Sequence, residues 1–101
     1  MAALLAELST LFLDETPQTL RAIEAALAAC DEVAVERLAH RLEGALLTLS
    51  AAPAAKIALT LETTARTNSP AECEAVLGQL GTELERLTPE LEALAASVKS
   101  R

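Results

Sequence analysis

Leucine and alanine return at three- and four-residue steps along almost the whole chain, and nothing alternates. Leu4, Leu8, Leu11, Phe12, Leu20, Ile23 and Leu27 keep the helical period in the first third. Cys73, Val76, Leu77, Leu80, Leu84, Leu87, Leu91 and Leu94 keep it in the last. Such spacing stacks side chains on one face of a helix. The residues that build strands are scarce: 22 Ala and 20 Leu stand against four Val, two Ile and one Phe, a balance that favours helices over strands. An all-α fold is expected. At 101 residues the chain is read as a single domain over positions 1–101, with room for one modest core.

Charge narrows the partners. Fifteen acidic side chains against eight basic ones give a formal net charge of -7, which argues against nucleic acid or an anionic membrane as partner. No run of 18 apolar residues and no basic stretch ahead of an apolar one mark a membrane span or a leader, so a cytoplasmic protein is expected. Cys30 and Cys73 lack metal-ligand spacing and are read as small buried hydrophobes in a reducing compartment.

Local signals set the helix boundaries. Pro17 disfavours an unbroken helix interior, with Asp14 or Thr16 able to cap a new start, so a short helix to about Leu13 and a longer one after it are expected, or one kinked helix. Asp31 suits the N-cap of the next helix, which should run to about Leu49. Ser50-Ala51-Ala52-Pro53 reads as a turn, followed by a helix carrying Ile57, Ala58, Leu61 and Ala65 and stopping between Arg66 and Asn68. Ser69-Pro70-Ala71-Glu72 is a capping-box start with proline at the tolerant first position. Thr88-Pro89 reads either as a bend or as a stop with a new start after it. Short loops make neighbours antiparallel. The predicted architecture is an antiparallel up-and-down four-helix bundle with a short additional N-terminal helix.

At about 100° per residue, Val35, Leu38, Leu42, Ala45, Leu46 and Leu49 share the face that must enter the bundle, and His40 falls almost opposite its centre. Val33, Gly44 and Leu47 lie within roughly 40° of the histidine. This outer face is apolar and low in relief, as a docking surface would be. Gly44 sharpens that expectation, because a mid-helix glycine costs about 1 kcal/mol relative to alanine unless packing or access compensates. One turn beyond His40, it would leave space above the ring.

The span His40-Arg41-Leu42-Glu43-Gly44, followed by Leu49-Ser50-Ala51, resembles the signature of the histidine-containing phosphotransfer (HPt) domain of bacterial phosphorelays. Further likeness lies in Phe12-Leu13-Asp14-Glu15, in Ala39 just before the histidine, and in Leu61-Glu62 with Ala65-Arg66. The resemblance implies that His40 accepts a phosphoryl group from a receiver-domain aspartate and passes it to another receiver. It also implies a carrier rather than an autonomous enzyme, with no cofactor of its own and no ATP hydrolysis, the receiver supplying Mg²⁺. The partners implied are a response-regulator receiver and a hybrid histidine kinase, met by a monomer. Val33, Glu36, Arg41 and Leu47 would border the contact.

Two departures stand out. Glu43 takes the family's usual lysine position, and Glu36 lies four residues before His40 on a similar side, so both carboxylates would repel a phosphoryl group. Arg37, with Arg41 as second choice, is the candidate replacement for the lost positive charge. Ser50 takes the place of the family's second glycine at the helix end, where a left-handed cap is cheapest without a Cβ.

Other readings remain beside this one. A degenerate domain could bind a receiver or kinase without transfer, and a plain helical adaptor would need the hydrophobic seam but neither an outward His40 nor Gly44. A prosthetic-group carrier fits poorly, since Ser9, Ser50, Ser69 and Ser97 lack an attachment pattern. One histidine and two distant cysteines give no convergent metal shell in sequence. Thr60, Thr63 and Thr64 are read as helix-surface hydroxyls bonded back to the main chain.

Overall fold

The computed structural model describes residues 2–67 and 69–99. Four helices follow one another: α1 (Ala2–Ala28), α2 (Glu32–Thr48), α3 (Ala52–Thr67) and α4 (Pro70–Lys99). α1 packs on α2 and α4, and α3 on α2 and α4. The pairs α1–α3 and α2–α4 therefore stand diagonally across the bundle. The described residues form a rod of 48 × 21 × 19 Å, its length matching the roughly 1.5 Å rise per residue of the longest helix.

The core is a seam of small and branched side chains. Ile23, Val35, Ala39, Leu46, Ala58, Leu61 and Leu80 are almost completely enclosed, and Phe12 packs into the same cluster. Alanines on α3 (Ala54, Ala55, Ala58, Ala65) keep the surface it presents to its neighbours low, so backbones can approach closely while leucines from the other helices fill the layers.

Caps fall where local chemistry places them. The Asp31 carboxylate accepts the Ala34 N–H at 3.1 Å, and the Ser69 hydroxyl accepts the Glu72 N–H at 3.4 Å, with Pro70 opening α4. α3 ends at Thr67; Asn68, the far limit of the expected stop, lies outside the described residues. Both α1 and α2 close with a left-handed residue, Cys30 at φ 57° and Ser50 at φ 59°. In each turn the two following amides reach back in the same pattern: Cys30 to Leu27 and Asp31 to Ala26, then Ser50 to Leu47 and Ala51 to Leu46. This is the Schellman closure, and serine adopts it without disturbing the bundle.

Two expectations change. α1 runs unbroken through Pro17 and α4 through Pro89, so the separate short N-terminal helix is absent as an element of its own. Both prolines are exposed, and buried residues on either side, Phe12 and Ile23 in α1 and Leu84 and Leu91 in α4, anchor both halves of each helix. Cys73 is buried as expected, but Cys30 is exposed, because the left-handed turn that closes α1 carries it out of the apolar seam.

No helix among the described residues is long and apolar enough to cross a membrane.

Candidate functional site

α2 presents His40 at the bundle surface. Its buried residues are Val35, Ala39, Leu42 and Leu46, whereas Ala45, expected inside, is exposed. Leu38 and Leu49 still pack against the core, so the inward face is turned by roughly 20° toward His40 relative to the one read from the leucines. That rotation matters chemically. His40 stands on the flank facing α3 rather than opposite the core, and a residue of α3 can reach its ring.

That residue is Glu62. Its Oε2 lies 3.3 Å from His40 Nδ1, and its Oε1 receives a hydrogen bond from Arg66 Nη2 at 3.4 Å. Arg66 in turn donates through Nε to Glu36 Oε2 at 2.8 Å. A line of polar contacts therefore runs from α2 to α3 and back: His40, Glu62, Arg66, Glu36. Glu43, one turn along α2, brings Oε1 to 3.7 Å from the same ring nitrogen, too far for a hydrogen bond. The His40 side chain is 69% exposed, whereas those of Glu43 and Glu62 are 17% and 9% exposed. A solvated ring is thus held at one nitrogen by a largely enclosed carboxylate.

The other nitrogen, Nε2, has no hydrogen-bond partner among the described residues. When neutral, an imidazole carries one N–H and one lone pair. With the proton on Nδ1, donated to Glu62, the lone pair sits on Nε2 and faces solvent. This is the form a nucleophile needs.

The surroundings of the ring match a shallow contact face. Val33 and Leu47 are 66% and 56% exposed, and both lie on α2 with His40 between them. A Cβ built on Gly44 would meet nothing within 4 Å, so no packing within the described residues accounts for the glycine; what it leaves is open surface beside the histidine.

The candidate cations Arg37 and Arg41 stand apart from the carboxylate cluster. Arg37 is exposed and forms no ion pair with Glu36, Glu43 or Glu62 among the described residues. Arg41 lies in the groove between α1 and α2 with Leu8, Phe12, Thr16 and Ala45. The guanidinium that joins the cluster is Arg66. Neither Glu62 nor Arg66 stood out in sequence as a site residue, yet Glu62 carries a signal of its own: it falls four residues after Ala58 and three before Ala65, on the flank of the buried seam, where a charge is costly without a partner.

The threonines of α3 are accounted for. Thr60 bonds to the Lys56 carbonyl at 3.0 Å, Thr63 to those of Leu59 and Thr60, and Thr64 to that of Thr60 at 2.7 Å. Ser9, wholly buried, donates to the Leu5 carbonyl at 2.9 Å.

A protein-family model described as Hpt domain matches residues 7–97. No curated protein and no solved structure matches the chain.

Proposed function

The chain belongs to the Hpt domain family, whose members carry phosphoryl groups between receiver domains instead of catalysing a reaction of their own, and on that premise we propose that His40 is its phosphoacceptor, reacting through Nε2. The chain is a phosphorelay intermediate, and its partners are receiver and histidine-kinase domains. The observation that carries the assignment to His40 is the engagement of Nδ1 by Glu62 at 3.3 Å on a ring that is otherwise open to solvent.

In the step we assign, the Nε2 lone pair attacks the phosphorus of a receiver's aspartyl phosphate. The N–P bond forms, the bond from phosphorus to the aspartyl oxygen breaks, and the aspartate leaves as carboxylate. The Nδ1 proton stays on the ring, which becomes positive as the bond forms, and Glu62 faces that growing charge. A preorganised counter-charge of this kind favours the transition state over the ground state. Onward transfer reverses the bookkeeping: a second aspartate attacks phosphorus and the electron pair returns to Nε2. Mg²⁺ and most neutralisation of the moving phosphoryl group come from the receiver side.

Val33, Leu47 and the open surface at Gly44 would seat the receiver around the ring, with Glu36 and Arg41 at the margins. Arg66 holds Glu62 in place, and the exposed Arg37 would supply the positive charge that the usual lysine position lacks here. The finer picture is a single-domain monomer of the cytoplasm, in keeping with the free thiols of Cys30 and Cys73.

Incubation with phosphorylated receivers, followed by mass-spectrometric localisation under conditions that spare acid-labile phosphohistidine, tests this. Label is expected on His40 and on no other residue, with none acquired from ATP alone. His40→Gln should abolish capture and leave the helical circular-dichroism signal intact, since the side chain lies outside the core. Label persisting on that variant would overturn the assignment. A chain that binds receivers yet takes no label would be the non-transferring regulator instead.

A further inference from the structure

We propose that His40, Glu43 and Glu62 form a three-ligand site for a divalent transition-metal cation of the Zn²⁺ type, and that its occupation switches the ring out of its phosphoaccepting form; the switching half rests on His40 being the acceptor.

One ring nitrogen of His40 and one oxygen of each carboxylate lie within 4.8 Å of one another. Ligands held about 2.1 Å from an ion at tetrahedral angles are roughly 3.4 Å apart. The separations from Nδ1, 3.3 Å to Glu62 and 3.7 Å to Glu43, lie on either side of that value. One imidazole nitrogen with two carboxylate oxygens is a donor set suited to zinc, with water completing the shell.

Charge points the same way. Glu36 and Glu62 share one guanidinium, Arg66, whereas Glu43 forms no ion pair with it among the described residues. Glu43 is largely enclosed, and among the described residues its one charged neighbour within 4 Å is the ring nitrogen, beyond hydrogen-bond reach. A dication would neutralise Glu43 and Glu62 together. Arg66 binds Glu62 through Oε1, leaving Oε2 for the ion and fixing that carboxylate as outer partners of metal ligands do. The site depends on Glu43 standing where the family usually carries lysine, so the departure that removes a cation from the chain supplies the group that could recruit one.

The consequence for the ring follows from its electron count. A metal at Nδ1 uses the lone pair of that nitrogen, so the single proton of the neutral imidazole moves to Nε2. Nε2 then has no lone pair to attack phosphorus. Without the ion, Nδ1 carries the proton toward Glu62 and Nε2 is free. No proton is lost in the exchange, and the two tautomers are distinguishable.

The test uses the intact chain without any receiver. Zn²⁺ titrated calorimetrically should bind one ion per chain, and ¹⁵N spectra of the His40 ring should show metal at Nδ1 and hydrogen at Nε2. Glu43→Gln and Glu62→Gln should each weaken binding roughly tenfold or more; Glu43, outside the core, remains decisive if the Glu62 variant unfolds. Zinc found at exposed Cys30 alone, zinc on Nε2, or an affinity unchanged by Glu43→Gln would each overturn the site. Label transfer in zinc-free buffer reports separately on His40 as acceptor, so either reading can fail without the other.

Discussion

His40 Nδ1 and Glu62 Oε2 stand 3.3 Å apart across two helices although 22 residues separate them in sequence. The contact gives the ring one preferred orientation and one preferred tautomer, which an isolated helix carrying the same histidine would lack. It also places a negative charge where the ring turns positive during transfer.

Glu62→Gln tests that charge while keeping the shape. The amide oxygen can still accept the Nδ1 proton, but hydrogen bonds to charged groups exceed neutral ones by about 1 kcal/mol. Transfer to His40 should therefore slow by about five- to tenfold, measured by rapid-quench labelling. An unchanged rate would mean that Glu62 orients the ring without stabilising its charge.

Glu43→Lys restores the residue type usual in the family three positions after the histidine. Exchanging repulsion for attraction at that spacing is worth a few tenths of a kcal/mol up to about 1, so transfer should quicken, or phosphohistidine last longer, by about two- to fivefold. The gain should shrink at high salt. No gain at low salt would show that local repulsion is unimportant.

Gly44 separates folding from docking. Because a Cβ there meets nothing within 4 Å, Gly44→Ala should raise stability by about 1 kcal/mol, read as a higher denaturation midpoint. Gly44→Leu should fold equally well and yet slow transfer by about tenfold or more, through obstruction of the partner alone. Normal transfer by the leucine variant would remove the access role.

The two thiols should differ in reactivity. Cys30 is exposed and Cys73 buried, and burial, with the charges of Glu32 and Glu72 adding to it, pushes the Cys73 thiol above its ordinary value of 9.0. At pH 8 iodoacetamide should modify Cys30 at least about tenfold faster. The Cys73 rate should still be climbing past pH 9, since a raised value delays the thiolate to higher pH. Equal rates, followed by peptide mass mapping, would contradict the burial of Cys73.

Much of this molecule could be read from neighbours in sequence. The helical class, the caps at Asp31 and Ser69 and the outward position of His40 are all local, because each depends on residues within one or two turns. The continuous α1 and α4 were less legible, since Pro17 and Pro89 signal a break locally and only the packing on both sides of each proline overrides it.

The sequence by itself determined that this chain is a helical bundle with a solvent-facing imidazole beside a glycine, because helical period and capping are written in short spans. The tertiary structure alone decided what that imidazole touches. Whether Glu62 and Arg66 meet the α2 carboxylates and His40 depends on the rotation of α2 about its axis and on its register against α3. Both are set by how Ala39, Leu46, Ala58 and Leu61 fill the core, a packing problem among distant residues that no periodicity along one helix encodes.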